Sequence, residues 1–248
     1  MRLEKRTAVV TGASRGIGRA IAARLAREGA RLVLNGRRDS AELREAESAC
    51  RALKAEVATV CGDIAEEEVA RSICEEAVKR FGTLDILVNN AGVTGGELLA
   101  LLSDEDLDRM ISTNIIGLVR MSRAAIRPML EQRSGCIINL SSALATRPGR
   151  GNTLYAGTKG FVESFTRALA VEMGNKKIRV NAIAPGIIET EMSGEVRALA
   201  GPALRERIAL RRFGAPEEVA SLVAFLASDE AAYINGAVLP VDGGFGAP

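Results

Sequence analysis

The stretch TGASRGIGR at positions 11–19 constrains the fold more than any other part of the chain. Its three glycines, Gly12, Gly16 and Gly18, stand where a short apolar run ends and an amphipathic segment begins. Glycine permits a tight turn and a close backbone approach, and a helix amino terminus attracts anions. The spacing G-x-x-x-G-x-G differs from the usual G-x-G-x-x-G dinucleotide fingerprint, but the same physics applies. We therefore predict a pyrophosphate-binding turn between a first strand and a first helix.

Short β-branched runs alternate with longer amphipathic segments along the rest of the chain. The predicted strands cover 7–11, 31–35, 56–60, 84–89, 136–140, 178–183 and 236–241. The predicted helices cover 16–28, 40–53, 65–81, 104–132 and 153–173, and a last one begins at Pro216. Strands that are apolar throughout and separated by helices are typical of a parallel sheet covered on both faces.

The predicted fold class is α/β, with one Rossmann-type domain over residues 1–248. A chain of 248 residues fits one such domain better than two. We expect a doubly wound parallel sheet of about seven strands in the order 3-2-1-4-5-6-7. Residues 186–214 are the one insertion in this pattern, with one or two helices, and we predict a substrate lid there.

Composition and charge exclude several classes of function. The net charge of +2 gives no signal for nucleic acid. The chain has no histidine, and its four scattered cysteines form no C-x-x-C pair, so we expect no metal site and buried free thiols. No apolar run approaches the ~18 residues of a membrane span, and the charged start MRLEKR does not resemble a signal peptide. We expect a cytoplasmic protein without a membrane partner.

The residues after the second strand bear on the choice of cofactor. An acid at this place binds the free 2′-hydroxyl of an adenosine ribose, whereas an arginine favours a 2′-phosphate. The chain has Arg37 and Arg38 directly after the strand, and Arg15 can approach from the glycine turn. We therefore expect NADP(H). NAD(H) stays open as the alternative, since Asp39 would suit it if the strand ran longer.

Further motifs, in order along the chain, make it resemble the short-chain dehydrogenase/reductase family. Y-x-x-x-K by itself is a weak signal, but the ordered set spans essentially all 248 residues and is specific. After TGASRGIG, the set comprises NNAG at 89–92, Asn114, Ser142, Tyr155 with Lys159 in YAGTK, APG at 184–186 followed by Ile188 and Thr190, and VDGG at 241–244.

The resemblance implies how a chain without histidine can transfer protons. Tyr155 would be the general acid in reduction and the base in oxidation. A phenol has a reference pKa of about 10, and the nearby charge of Lys159 would lower it. Ser142 would hydrogen-bond the substrate carbonyl. Asn114 would bend its helix locally and hold a water that links Lys159 to solvent.

The resemblance also implies where a nicotinamide cofactor would bind. Asp63 and Ile64 match positions that contact adenine, and Lys159 would hold the nicotinamide ribose. The implied cofactor residues are Gly12, Ser14, Arg15, Gly16, Ile17, Gly18, Arg37, Asp63, Ile64, Asn89, Ala91, Gly92, Tyr155, Lys159, Pro185, Gly186, Ile188 and Thr190.

Three segments, IRVNAIAPGIIETEM, LRRFGAPEEVASLVAFLAS and YINGAVLPVDGG, are most similar to the 3-oxoacyl-[acyl-carrier-protein] reductases of that family. This similarity implies NADPH-dependent reduction of a 3-oxoacyl thioester in fatty-acid or related biosynthesis. Ala145, the missing Arg-Asp after NNAG, and Arg147 and Arg150 depart from that subgroup. They leave open a CoA thioester, or another ketone or alcohol such as a sugar, polyol, steroid or keto acid. A cofactor-binding regulator without turnover is a further alternative.

Two expectations concern partners. An acidic acyl carrier protein would call for a basic rim at the cleft, which we expect from Arg127, Arg133, Lys176 and Lys177. The alternative is that these are ordinary solvated charges. The helices predicted at 104–132 and 153–173 carry apolar faces, and the family resemblance implies a homotetramer formed through them.

Overall fold

The computed structural model describes residues 1–246, apart from the side chains of Glu195, Val196, Leu199 and Ala200. Its seven strands form one sheet in the order β3-β2-β1-β4-β5-β6-β7. Every neighbouring pair in that sheet is parallel. The predicted fold class and strand order are confirmed.

Strands and helices alternate as the sequence pattern predicts. The strands are β1 Thr7–Val10, β2 Arg31–Gly36, β3 Val57–Cys61, β4 Ile86–Asn89, β5 Gly135–Leu140, β6 Ile178–Pro185 and β7 Val238–Val241. The helices are α1 Gly16–Arg27, α2 Ala41–Ala52, α3 Glu67–Phe81, α4 Asp104–Ile111, α5 Leu118–Gln132, α6 Thr153–Met173, α7 Gly194–Glu206 and α8 Pro216–Ala227.

Two apolar layers hold the helices against the sheet. Side chains alternate between the faces of a strand, so neighbouring residues such as Val9 and Val10 enter different layers. Val9 and Leu87 pack with residues of α3 and α5. Val10 and Val88 pack on the opposite face with residues of α1 and α8. Because both faces are covered, the strands carry apolar residues at consecutive positions, which is the pattern seen in the sequence.

The predicted helix 104–132 is not regular along its whole length. It begins at Asp104, as predicted, and the hydroxyl of Ser103 caps it by accepting a hydrogen bond from the backbone N–H of Asp106 at 3.1 Å. A π-helical segment, Ser112–Gly117, then separates α4 from α5. Asn114 lies inside this segment, so the local distortion falls where the family resemblance implies a bend.

Two sequence-based expectations concern the membrane and the cysteines. No helix in residues 1–246 is both long and apolar enough to cross a bilayer. Cys50, Cys74 and Cys136 are free and buried, as predicted, and burial raises the pKa of the Cys74 thiol to about 12. Cys61 differs from the prediction, because the end of the outermost strand β3 leaves it exposed.

Candidate active site

The glycine turn between β1 and α1 is packed tightly against the end of β4. Gly12 has a φ of +62°, and a Cβ built there would lie 2.9 Å from the Cα of Ala91. A Cβ at Gly18 would overlap the carbonyl oxygen of Gly12. Side chains at these two positions would therefore push the first helix away from the strand.

The Thr11 and Asn90 side chains, which the sequence analysis did not select, lock this turn to the NNAG segment. The Asn90 amide donates to the carbonyl oxygens of Thr11 and Gly12 at 2.9 and 3.1 Å. The Thr11 hydroxyl accepts from the backbone N–H groups of Asn90 and Ala91, both at 3.0 Å. Asn90 belongs to the NNAG motif, so the sequence could have indicated its role.

The turn fits a pyrophosphate group. The first turn of α1 carries no acidic residue, and its N-cap residue Arg15 places no side-chain cap on the helix. The amino end of α1 therefore keeps N–H groups and a favourable dipole for an anion. Across the turn, a Cβ at Gly16 would lie 3.2 Å from the Thr190 methyl group, so only a narrow cleft separates the turn from the segment after β6.

Tyr155, Lys159 and Ser142 come together at the carboxyl end of β5. Lys159 on α6 donates from Nζ to the carbonyl oxygen of Leu140, the last residue of β5, at 2.8 Å. The same Nζ lies 5.7 Å from the centre of the Tyr155 ring. Ser142 stands two residues after the end of β5, its hydroxyl accepts from the Leu144 N–H at 3.1 Å, and it lies close enough to Tyr155 to lower the pKa of the phenol. A single cluster thus contains a phenol, a hydroxyl and a buried ammonium.

Burial governs the protonation of both titratable groups. It raises the pKa of the Tyr155 phenol, and the hydrogen bond with Ser142 opposes this rise. It lowers the pKa of Lys159 to about 8. The expected lowering of the phenol pKa by Lys159 is not found for the chain alone. The physical reason is that desolvation disfavours the charged form of each group.

Asn114 joins three parts of the site. Its amide oxygen accepts from the Val93 N–H at 2.8 Å, and its amide nitrogen donates to the Val93 carbonyl at 2.9 Å and to the Thr158 hydroxyl at 3.1 Å. A Cβ at Gly92 would lie 3.4 Å from the Asn114 amide oxygen and 3.5 Å from Lys159 Nζ. The segment after β4 is therefore held against α6, with Gly92 next to both Asn114 and Lys159.

Most of the predicted cofactor residues lie at the carboxyl edge of the sheet, around one cleft. One carboxylate oxygen of Asp63 accepts a hydrogen bond from the Ala65 N–H at 2.9 Å. The remaining members are Gly12, Ser14, Arg15, Gly16, Ile17 and Gly18 after β1, Arg37 after β2, Ile64 after β3, Ala91 and Gly92 after β4, Tyr155 and Lys159 on α6, and Pro185, Gly186 and Thr190 at or after the end of β6.

Asn89 and Ile188, two predicted cofactor residues, have side chains that face the interior. The Asn89 amide donates to Ser122 and Asn139 at 3.0 and 2.9 Å in a buried polar network. Ile188 is buried in the apolar layer of α1 and α8. If these two positions contact a cofactor, the contact would therefore have to come from their backbone atoms.

The charged residues that bear on the choice of cofactor have different surroundings. β2 ends at Gly36, and Arg37 is exposed directly after it. Asp39, the residue that kept NAD(H) open, pairs with Arg44 at 2.8 Å. Arg15 reaches across to Glu191 at 2.7 Å. Arg37 therefore occupies the position beside the strand end that Asp39 would need.

Glu163 is a buried carboxylate that the sequence analysis missed. It accepts from the Ser141 hydroxyl at 3.1 Å and from Arg167 at 3.5 Å. Ser141 precedes Ser142, and Glu163 follows Lys159 by one helical turn, so the contact ties the end of β5 to α6. Its sequence signal was absent, because an acid four residues after a lysine normally faces solvent.

The predicted basic rim does not lie at the cleft of its own chain. Arg133 precedes β5, and the Gly135 N–H donates to the Lys177 carbonyl at 3.3 Å, so both basic residues lie at the amino edge of the sheet. β5 rises about 3.3 Å per residue, which separates that edge from Tyr155 by about 20 Å. Within one chain these residues therefore form no rim beside the catalytic cluster, because α5 and α6 both end at the opposite edge.

Apolar side chains flank Tyr155 on the side of the segment after β4. Leu99 and Leu102 line a small cavity beside Tyr155. Leu99 and Leu101 are 62% and 71% exposed, although both are large and apolar. The full lining of the cavity is Gly95, Glu97, Leu99, Leu102, Met110, Gly151, Leu154 and Tyr155.

Comparisons with known proteins agree with this architecture. The family model described as enoyl-(acyl carrier protein) reductase matches residues 12–246. The 3-oxoacyl-[acyl-carrier-protein] reductase FabG of Pseudomonas aeruginosa is 43% identical over 247 residues, covering 98% of each chain. The FabG of Thermotoga maritima is 38% identical, covering 98% of this chain and 99% of its own.

Solved structures share the same fold, and their names cover more kinds of dehydrogenase or reductase. Levodione reductase superposes with a TM-score of 0.95 at 34% identity and covers 99% of each chain. A short-chain dehydrogenase from Burkholderia cenocepacia in complex with NADP superposes with a TM-score of 0.93 at 35% identity and covers 100% of each chain. The sheet order, the matching family model and the relatives agree, and the chain therefore belongs to the short-chain dehydrogenase/reductase family of oxidoreductases.

Proposed function

We propose that the protein uses NADPH to reduce the 3-keto group of an acyl thioester to a 3-hydroxyacyl thioester. The observation that carries the proposal is the cluster of Ser142, Tyr155 and Lys159 beside the glycine turn. Relatives that are 38–43% identical over nearly their whole length, and that are named 3-oxoacyl-[acyl-carrier-protein] reductases, support the acyl thioester as substrate. The intact cluster also argues against a regulator without turnover.

In the proposed mechanism, NADPH supplies the hydride that the keto carbon receives. Ser142 donates a hydrogen bond to the carbonyl oxygen as that oxygen gains negative charge. Tyr155 gives its phenolic proton to the same oxygen, so that the product is an alcohol. Its raised pKa keeps the phenol protonated at neutral pH, which is the state that a proton donor requires. Lys159, with a pKa of about 8, is mostly charged at neutral pH and stabilises the phenolate that remains.

We assign recognition of the NADPH 2′-phosphate to Arg37 and Arg15. Both are exposed, and they extend from the two turns that follow β2 and β1. Guanidinium groups form charge-assisted hydrogen bonds with phosphate. The relative from Burkholderia cenocepacia that binds NADP supports the same cofactor here.

Replacing Arg37 by alanine is expected to raise the KM for NADPH at least tenfold and to change the KM for NADH less than twofold. Loss of one charge-assisted hydrogen bond to a phosphate costs about 1.5–3 kcal/mol, which corresponds to roughly ten- to a hundredfold. Steady-state kinetics with both cofactors measures the effect, and Arg44→Ala, on the far side of Asp39, is the control. Equal changes for both cofactors would contradict the assignment.

The leucines beside Tyr155 favour a substrate with an apolar chain. Leu99 lines the cavity beside Tyr155, the proposed proton donor, and is 62% exposed; Leu101, two residues further along the chain, is 71% exposed. Burying such surface under an acyl chain stabilises the complex by about 25 cal/mol per Å². A sugar or polyol would leave these side chains without a matching partner, which supports the acyl thioester over those alternatives.

Arg150 gives a test of a CoA thioester as substrate. It is exposed in the loop just before α6, at the catalytic edge of the sheet. We expect Arg150→Glu to lower kcat/KM for acetoacetyl-CoA about three- to tenfold at low salt, because charge reversal repels the CoA phosphates. The loss should shrink at high ionic strength. Arg133→Glu, at the opposite edge, is the matched control, and an equal loss in both variants would refute a local contact.

The substrate itself is tested with purified protein and NADPH oxidation. The panel comprises acetoacetyl-CoA, a 3-oxoacyl carrier protein, an enoyl thioester, a keto sugar, a steroid and levodione. We expect the two 3-oxoacyl thioesters to give the highest kcat/KM. Levodione represents the second candidate function, reduction of another small ketone, which the likeness to levodione reductase favours. Turnover of a different class alone would replace the acyl thioester.

Two further sequence-based predictions, one about assembly and one about motion, remain proposals. Val171 on α6 is 85% exposed, which fits the predicted homotetramer formed through the long helices. Residues 186–214 contain a single helix, α7, and we keep the proposal that this segment is the lid over the substrate.

A further inference from the structure

Arg15 and Glu191 form an ion pair across the cofactor cleft. Their Nη1 and Oε2 atoms lie 2.7 Å apart, and the two side chains are 68% and 71% exposed. Arg15 belongs to the glycine turn, and Glu191 belongs to the segment that follows β6. The proposed partner of a 2′-phosphate is therefore already paired with a carboxylate of the same chain.

The turn that carries Glu191 is held in place by hydrogen bonds. The Ser193 hydroxyl accepts from the Thr190 N–H at 3.3 Å and from Arg197 Nε at 3.0 Å. Arg197 also donates to the Thr190 carbonyl oxygen at 3.1 Å. On its other side, Thr190 faces Gly16, where a Cβ would lie 3.2 Å from its methyl group. The backbone beside Glu191 is thus fixed within reach of the glycine turn.

The glycine turn that carries Arg15 lies beside the end of β2, since the Ala13 N–H donates to the Asn35 carbonyl oxygen at 2.9 Å. The pKa of Glu42 in the first turn of α2 is lowered by a hydrogen bond with Ser40 and, more weakly, by Arg15 and Arg38. Arg15 therefore lies between two places where an anion can pair with it. One is near Glu42 and the end of β2, and the other is the Glu191 carboxylate. A phosphate at the end of β2 and the Glu191 carboxylate would compete for one guanidinium.

We infer that Glu191 is a specificity-determining residue that competes with the NADPH 2′-phosphate for Arg15. The inference rests on the proposed use of NADPH. A phosphate monoester carries close to two negative charges at neutral pH, whereas Glu191 carries one. An exposed ion pair contributes little to stability, so the phosphate displaces it. NADH lacks the 2′-phosphate, and its binding leaves the pair of Arg15 and Glu191 intact.

Binding of cofactors and cofactor fragments to purified wild-type and variant protein tests this inference. The probes are NADPH, NADH, 2′,5′-ADP and 5′-AMP, and the readout is the Kd from calorimetry. Glu191→Gln is expected to lower the Kd of NADPH and of 2′,5′-ADP about two- to fivefold, the range that an exposed ion pair provides. The Kd values of NADH and 5′-AMP should change less. Glu189→Gln is the matched control, because Glu189 is exposed two residues away and acts on Arg212 instead.

A second variant distinguishes competition from other roles of the pair. In an Arg15→Gln background, Glu191→Gln should have no further effect on the Kd of NADPH. Weaker binding of both NADPH and NADH to Glu191→Gln would mean that the pair holds the cofactor in place, and it would overturn the competition. An unchanged Kd for every probe would overturn it as well. Wild-type protein that binds 5′-AMP as tightly as 2′,5′-ADP would instead refute the proposed cofactor.

Discussion

Tyr155→Phe is expected to lower kcat for keto reduction by about 10²–10⁴, the usual contribution of a general acid. The substitution removes the phenolic proton and almost no volume, so the fold and the cleft should remain. The Kd of NADPH should stay within about twofold of the wild-type value. Stopped-flow or steady-state NADPH oxidation, together with a binding titration, separates the loss of chemistry from a loss of binding.

The chain offers a matched control for this experiment. Tyr233 is the other of its two tyrosines and is fully exposed. Tyr233→Phe should leave kcat unchanged. A folded Tyr155→Phe protein with a turnover near that of the wild type would remove Tyr155 from the proposed mechanism.

Lys159→Met is expected to lower kcat about 10²-fold or more and to raise the stability of the folded protein at neutral pH. Lys159 is 6% exposed, and burial lowers its pKa from 10.5 to about 8. One pKa unit corresponds to about 1.4 kcal/mol, so the buried charge costs roughly 3 kcal/mol. Loss of the hydrogen bond to Leu140 offsets about 1 kcal/mol of the stability gained by removing this charge. A net gain of about 2 kcal/mol in the free energy of unfolding follows.

The stability gain should depend on pH in a defined direction. Between about pH 8 and pH 10.5, the unfolded wild-type chain holds one more proton at Lys159 than the folded chain does. The free energy of unfolding of the wild type therefore rises with pH in this window. The advantage of Lys159→Met should be constant below about pH 8 and shrink above it. Denaturant titrations at several pH values measure this.

Lys176→Met, a change at an exposed lysine, provides the comparison for stability. It should give no gain that depends on pH. A Lys159→Met protein that is less stable than the wild type at pH 7 would mean that the charge is compensated in the folded state.

In the wild type, kcat/KM for reduction should fall above about pH 8 as Lys159 loses its charge.

The sequence alone determined the fold class and most residues of the candidate site. Alternating apolar strands and amphipathic helices leave few arrangements other than a covered parallel sheet, and the connections then limit the strand order. The glycine turn was predicted from backbone geometry, whereas Ser142, Tyr155 and Lys159 were predicted because the ordered motifs resemble those of a known family. Parallel strands end at one edge, so motifs at strand ends were bound to meet there.

Only the tertiary structure decided which groups face one another across that edge. The pair of Arg15 and Glu191 joins residues far apart in the sequence, and the sequence around either residue does not predict the contact. The same applies to Glu163, which is buried because α6 packs against the end of β5 at Ser141. Arg133 likewise lies at the far edge because of the direction in which its helix runs.

Protonation states were also beyond the sequence. The spacing of Tyr155 and Lys159 suggested a phenol made more acidic by a neighbouring charge, whereas burial raises the phenol pKa and lowers that of the lysine. Motif spacing reports which groups are neighbours along one helix. The cost of desolvating those groups depends on everything packed around them, and that is a property of the folded chain alone.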